Sequence, residues 1–418
     1  MFSHIDYHWI KPSFNFVDIF CIAIVLVAFR WTYGVLVSCY QLFRYIAFDD
    51  IVKDFSTPER SERWKGQDFG SFPNGWIPVS ESQFLEKGSV QNVQVCGQEI
   101  VLVRKLNGEV QAMDAYCPHY GANMSKGKVI RIRGEDCLRC PFHDWSFRTD
   151  DGVCVDVPYA KNRKPPEGVK IRVWKCIEIH NFIYVWHHSR GKEPTWFPNR
   201  IPEIDSGDWV YHGRSEHTVN CVLEDIPANG PDSAHLNIVH SRSVLCGGVL
   251  DENCNPLLNI LHHRWEAAWE KCEPPMDHTA ISWLEGVTTC FGFDLVYLSI
   301  KALQIGPTSV NLLFKSSAFG MEIKGAYIQG INPIGLNKHK IVHQLYLQRR
   351  LLSPFMSRFL LLGEAVMLER DIEIWNNKIY LKSPILVKEE KQIAQFRRFF
   401  SQFFDHERKV VDVRPDDW

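Results

Sequence analysis

Cys117-Pro-His119 and Cys140-Pro-Phe-His143 put two thiolates and two imidazoles on two short loops, with twenty residues between His119 and Cys140. Each loop offers one cysteine and one histidine. That division suits a [2Fe-2S] cluster in which one iron keeps two thiolates and the other takes two neutral imidazoles, an exchange that raises the reduction potential. Pro118 and Pro141 stiffen the two turns and leave the other backbone N–H groups to donate to the sulfurs. The gap between the loops suits a hairpin that carries them both. A structural zinc site competes, with Cys137 and Cys140 as a C-x-x-C pair completed by Cys117 and a histidine. On the hairpin reading Cys137 is an ordinary strand thiol.

A chain of 418 residues suits two domains and a large core. Its net charge of -2 offers no strongly basic surface, which argues against nucleic acid as a partner. The thirteen cysteines are scattered and odd in number. Metal ligands and buried thiols in a reducing compartment account for them better than a disulfide framework does.

Residues 19–29 are unbroken apolar sequence, and the character resumes at 31–43 after the single Arg30. A bilayer span needs about 20 mainly apolar residues, so 16–43 is predicted to be a membrane anchor. Arginine at mid-bilayer costs about 2.5–3.5 kcal/mol, which places Arg30 near an interface. A re-entrant or interfacial helix is the competing reading. Val27-Ala28-Phe29-Arg30 is a poor signal-peptidase site. Arg30, Arg44 and Lys53 outnumber Lys11 on the other flank, which favours a cytosolic catalytic part. Residues 44–73 are charged and turn-rich and read as a linker.

From 74 to 190 short apolar alternations such as Val93-Gln-Val95 fall between turns at Lys87-Gly88, Asn107-Gly108 and Asp151-Gly152, which predicts a β-rich cluster domain. Residues 183–186 read as its last strand and 191–202 as a boundary. The second domain is taken as 203–418.

That domain holds Asn229-Gly-Pro-Asp232-Ser-Ala-His235-Leu-Asn-Ile-Val-His240. Two histidines and one carboxylate on one face hold a non-haem Fe(II) with open positions. Histidines five apart point about 140° away from each other on a regular helix, so His235 and His240 share an ion only if the helix is distorted or they converge from its edge. Two such histidines alone are more often unrelated. The carboxylate has to arrive from elsewhere, and a helix predicted over 361–380 offers Glu364, Glu369, Asp371 and Glu373. Asp371 is chosen because apolar residues and Trp375 surround it, while the helix's other charges read as solvated.

Together these segments resemble the Rieske non-haem iron oxygenases. The match runs from Gly75-Trp76 through Ala115-Tyr-Cys117-Pro-His119-Tyr-Gly-Ala122, Cys140-Pro-Phe-His143-Asp-Trp145 and the Asn229–His235 motif to Ile374-Trp375-Asn-Asn-Lys378. Within that family the chain looks most like the membrane-anchored cholesterol 7-desaturases of the Neverland type. Tyr120 and Asp144 depart from the family pattern, replacing a more usual aliphatic residue and a glycine.

The resemblance implies an α+β fold: a β-rich Rieske domain, then an antiparallel, helix-grip-like sheet whose helices enclose a mononuclear iron. It implies O2 as co-substrate and electrons from NAD(P)H through a separate reductase, since no dinucleotide-binding glycine motif is evident. It implies a homotrimer in which Asp232 bridges a cluster histidine of one subunit to an iron-ligand histidine of the next, a role compatible with capping a helix. It implies location at the endoplasmic reticulum, and cholesterol 7-desaturation in steroid biosynthesis. Steroid or lipid hydroxylation stays open, as does an electron carrier with a lipid-binding domain. A sterol needs a large apolar pocket, for which Trp283, Phe291, Phe293, Phe314, Phe319 and Tyr327 are candidate walls, about a third of them expected to face a cavity. Phe396, Phe399, Phe400 and Phe403 form a helix-spaced stripe read as packing.

Overall fold

The computed structural model describes residues 24–34, 36, 50–57, 71–248, 250, 259–381 and 384–405. In its first half short strands pair into three small sheets. Val90–Val95, Gln98–Arg104 and Val110–Asp114 form a meander edged by Val173–Trp174. Gly75–Glu81, Phe182–His187 and Cys176–Ile179 make the second sheet. Lys128–Ile132, Glu135–Arg139, Ser146–Arg148 and Cys154–Asp156 make the third. Successive side chains of a strand point to opposite faces. In Gln98–Arg104, accordingly, Ile100 and Leu102 join one core cluster while Val101 and Val103 join another, which also contains Cys117 and Cys140.

The second half is built on one eight-stranded sheet. Its strands are β1 (Asp50–Asp54), β2 (Trp209–Val219), β3 (Leu261–Lys271), β4 (Thr279–Cys290), β5 (Phe293–Ile305), β6 (Ser309–Ala318), β7 (Met321–Gly335) and β8 (Lys338–Gln348). Across the sheet the order is β1-β2-β8-β7-β6-β5-β4-β3, antiparallel except where β1 runs parallel to β2. The linker expected over 44–73 is corrected at β1. Ile51 is buried there, and the strand caps the edge of the sheet while Lys53 reaches Glu369 at 2.6 Å. Residues 58–70 lie outside the described residues.

Three helices close over this sheet: α1 (Ser233–Val239), α2 (Ser353–Asn377) and α3 (Lys391–Ser401). α2 begins earlier than the predicted 361–380, with Pro354 in its first turn where a missing N–H costs nothing. Leu361, Ala365, Leu368, Ile372 and Trp375 recur at alternating spacings of four and three and give α2 one buried stripe. Phe396, Phe399 and Phe400 of α3, with Phe403 beyond it, pack into the same cluster as Trp269 and Trp375. Polar bonds tie the two halves together, among them Gln344 to Glu81 at 2.8 Å and Arg214 to Glu81 at 2.7 Å.

Of the predicted anchor 16–43, residues 24–34 and 36 are described; they are helical, and Val25, Leu26 and Phe29 are exposed. The remainder of 16–43 lies outside the described residues, and among the described residues no helix is long and apolar enough to cross a membrane.

Candidate functional site

Two turns of the third small sheet's neighbourhood carry the first ligand set. Cys117 N–H donates to Ala122 O at 3.0 Å and Cys140 N–H to Trp145 O at 2.8 Å, which closes each loop on itself. The two thiols are buried side by side. Burial pushes the Cys117 thiol up to about 11, the backbone N–H of His119 pulls against it, and the neighbouring Cys140 raises it again. Cys117 becomes a thiolate only beside a strong positive charge, which a cluster iron provides. The His119 and His143 rings lie 4.8 Å apart, and His119 stacks on Trp145 at 4.4 Å. Trp145 is fixed in turn by a 2.7 Å bond to Tyr159. His143 Nδ1 is buried with no hydrogen-bond partner, a ring nitrogen left to a ligand. Asp144 has φ of 59°, the left-handed region that favours glycine and that aspartate tolerates, which explains physically why a glycine suits this position.

The zinc reading finds no cage here. Leu138 and Cys140 face the cluster core with Cys117, whereas Cys137 points the other way along its strand, with Sγ 3.7 Å from Glu135 O. Among the described residues the only trio of Cys, His, Asp or Glu placed to share one ion is His235, His240 and Asp371.

That trio brings one ligand atom from each residue to within 4.8 Å of the others. Asp232 caps α1, its carboxylate accepting from His235 N–H at 3.2 Å. Its main-chain carbonyl bonds His235 Nδ1 and so turns Nε2 outward. α1 ends at Val239, and His240 leaves the helix with φ -105° and ψ 10°. This break removes the angular objection to a pair five residues apart, and the two rings stand 5.1 Å from centre to centre. Asp371 arrives from α2, with Oδ1 3.1 Å from His240 Nε2 and Oδ2 accepting from Asn229 Nδ2 at 2.8 Å. Two imidazoles and a carboxylate on the wall of a cavity are the donors a divalent iron takes while keeping open positions. The residues present therefore fit both metal groups.

Three further residues hold this arrangement and were not singled out from sequence. Asn229 orients Asp371. The buried guanidinium of Arg370 donates to the carbonyls of Ser243 at 2.7 Å, Arg242 at 3.0 Å and Gly247 at 3.1 Å, pinning the loop after His240 to the helix that carries Asp371. His263 bonds Thr288 Oγ1 at 2.9 Å and turns a buried, unpartnered Nε2 into the same cavity. Burial, together with Arg370 and His240, pulls the His263 ring down to about 4, so it is neutral at pH 7. Only the Asn229 motif carried a sequence signal; isolated Arg370 and His263 carried none.

The solvated reading of the α2 carboxylates is corrected. Glu364 and Glu369 are enclosed, Glu369 lying against Lys53 at 2.6 Å and His217 at 3.5 Å, and Glu373 accepts from Leu250 N–H at 2.8 Å. Each has a partner that the fold, not the local sequence, supplies.

The cavity above the trio has a volume of about 420 Å³ and is walled mainly by apolar side chains of β4, β5, β6 and α2. Phe314 and Tyr327 line it. Trp283, Phe291, Phe293 and Phe319 do not, and that expectation is corrected: all four are exposed. Ser282 and Leu284 occupy the cavity face of β4, which turns Trp283 outward under Lys301. Phe291 and Phe319 sit at hairpin tips with φ of 49° and 51°.

Comparison with known proteins follows the same two-part division. The Rieske [2Fe-2S] domain family matches residues 75–176, and the family described as the 3-ketosteroid 9alpha-hydroxylase C-terminal domain matches 185–404. A cholesterol 7-desaturase of Xenopus laevis is 36% identical over 86% of this chain and 78% of its own length. One from Caenorhabditis elegans is 38% identical over 80% of this chain and 77% of its own. The crystal structure of dicamba monooxygenase bound to dicamba aligns with a TM-score of 0.61 at 17% identity, covering 80% of this chain and 98% of that one, a likeness of fold. With both domains matched, and with relatives of this identity over most of its length, the chain belongs to the Rieske non-haem iron oxygenases, a family of oxidoreductases, and is similar to the cholesterol 7-desaturases among them.

Proposed function

We propose that this chain is a sterol desaturase that introduces the 7,8 double bond of cholesterol to give 7-dehydrocholesterol. One observation carries the reading: a buried His235–His240–Asp371 trio opens onto an apolar cavity of about 420 Å³ in a chain 36% identical to a cholesterol 7-desaturase. A cavity of that size and lining suits a rigid apolar ligand. When bound, the cluster supplies single electrons and the ferrous ion supplies dioxygen activation.

The chain's own residues do the rest. Cys117, His119, Cys140 and His143 hold the cluster, and His235, His240 and Asp371 hold the iron. Asn229 fixes the carboxylate, and Asp232 fixes His235 in the tautomer that leaves Nε2 to the metal. The apolar walls exclude water and orient the sterol.

Electrons reach this chain from NAD(P)H through a separate reductase. They cross between subunits of a homotrimer through Asp232, whose side chain is 36% exposed at the start of α1 and therefore open to a neighbour. Tyr116, Tyr120, Phe142 and Tyr159 expose an aromatic rim around the cluster histidines that suits such a contact. The protein sits on the endoplasmic reticulum membrane with its catalytic part in the cytosol. Supporting this are the exposed apolar residues of 24–34 and a second apolar surface. The antiparallel register brings Phe291, Phe293, Phe319 and Met321 at the hairpin tips, and Leu351 and Phe355 at the start of α2, to one end of the sheet.

Hydroxylation of a ketosteroid uses the same ligands and is the second reading, favoured by the name of the matched C-terminal family. Incubating the reconstituted protein with cholesterol, dioxygen, NADPH and a reductase separates the two. A product two hydrogens lighter supports the desaturase, a product one oxygen heavier supports the hydroxylase, and unchanged sterol with both metal centres loaded contradicts both.

A further inference from the structure

The cavity walls carry a second polar cluster, apart from the trio. Tyr327 and Gln329 alternate onto the cavity face of β7, and Gln329 pairs across the sheet with His343 of β8. His343 Nε2 lies 2.9 Å from Gln329 Oε1, and His343 Nδ1 lies 2.8 Å from Glu364 Oε1. The other Glu364 oxygen accepts from Ser215 at 2.7 Å. Burial drives the Glu364 carboxyl up, but the charge and bond of His343, with His217 and Ser215, outweigh it and hold the group below its usual range. Glu364 is therefore an ionised acceptor with spare lone pairs. Tyr327 is half-buried on the cavity wall, close enough for the Glu364 charge to act on it, and makes no hydrogen bond among the described residues, so its hydroxyl is free to donate.

Glu364 and Asp371 lie on the same face of α2, seven residues apart, which is two turns and about 10 Å along the axis. We infer that Tyr327 and Glu364 bind the 3-hydroxyl of the sterol, with α2 spacing that hydroxyl from the metal trio so that the ring next to the hydroxylated one meets Asp371, His235 and His240. This rests on the sterol reading above and adds to it the group that is recognised and the register of the rings. A hydroxyl matches the pair because it gives its proton to Glu364 and accepts the proton of Tyr327. A 3-ketone, which only accepts, faces the Glu364 lone pairs without a proton to offer. The same cluster thus selects a 3-hydroxysterol over a 3-ketosteroid, and positions C7, on the neighbouring ring, at the metal.

The test is equilibrium binding of cholesterol, of its 3-deoxy analogue cholest-5-ene, and of cholest-4-en-3-one to the metal-loaded protein without oxygen. The wild type is expected to bind cholesterol roughly tenfold or more tighter than either analogue, as hydrogen-bonding sites discriminate against ligands that leave them unpaired. Tyr327→Phe and Glu364→Gln are expected to lower cholesterol affinity about tenfold while leaving cholest-5-ene within about twofold. A merely structural role would weaken both ligands alike, and that result overturns the assignment. Equal wild-type affinity for all three ligands overturns it too. Binding of none of them overturns the sterol reading itself, and this assignment with it. Should Glu364→Gln fail to load iron, Tyr327→Phe decides alone, because Tyr327 makes no hydrogen bond among the described residues.

Discussion

Cys117, His119, Cys140 and His143 come from two turns within one stretch of small strands, whereas His235, His240 and Asp371 are joined only when α2 folds back across the large sheet. The surroundings differ as well. Tyr120 and Phe142 beside the cluster histidines are 75% and 62% exposed, while His240 and Asp371 are 4% and 6% exposed. One centre is a local structure at the protein surface; the other is a long-range structure on the wall of an enclosed cavity. The second depends on every contact that seats α2.

The largest expected effect follows from that asymmetry. Asp371→Ala removes the only ligand supplied by α2, and two histidines hold Fe(II) weakly. Turnover is expected to vanish and the mononuclear iron to be lost while the visible spectrum of the cluster stays unchanged. A variant that keeps its full iron content would move the carboxylate ligand elsewhere. His143→Cys is the converse: it adds thiolate charge at the cluster and is expected to lower its potential or prevent assembly. An unchanged potential in a redox titration would strike His143 from the ligands.

Asp232→Asn sharpens the comparison at the residue proposed to bridge the two centres. The amide keeps the size and the helix cap but loses the charge, so both centres stay loaded and single-turnover reoxidation of the cluster slows by about ten- to a hundredfold. Wild-type rates with both centres full would remove the bridge.

Glu369→Ala separates seating from ligation. Glu369 is enclosed with Lys53 and His217, and Lys53 is partly exposed, so the loss is expected to cost about 1–3 kcal/mol in denaturant unfolding. Iron content at low temperature is expected to stay complete. Loss of one iron per chain with unchanged stability would make Glu369 a ligand.

The last effect is on pH and leaves both metal centres untouched. Burial lowers His339 from 6.5 to about 4, and its Nε2–H donates to Cys221 O at 2.9 Å. A group whose folded pKa is depressed contributes stability above the unfolded value and loses it on acidification. Stability is therefore expected to fall as pH drops from 6.5 toward 4, by up to about 3 kcal/mol for this residue. His339→Gln should flatten that slope in melts across the window; an identical slope would assign it to other groups.

Much of this was legible in the sequence because the decisive chemistry is local. Both cluster loops are short motifs with fixed spacing, and the α2 stripe from Leu361 to Trp375 repeats at a helical period. Asp371 was readable only through its apolar flanks. What was not legible depended on distant partners. Glu364 and Glu369 look like surface charges until His343 and Lys53 are brought to them. Phe291, Phe293 and Phe319 look like cavity walls until hairpin turns carry them to the sheet's end. Asp50–Asp54 reads as linker because a single buried Ile51 is too little pattern to mark an edge strand.

The central claim, two metal centres with separable ligand sets, is tested most directly by counting iron and acid-labile sulfide in purified wild type and Asp371→Ala. The wild type is predicted to hold two irons and two sulfides for the cluster and one further iron, and the variant to lose that one iron and no sulfide. Zinc without sulfide in the wild type, or loss of sulfide together with iron in the variant, would contradict the account.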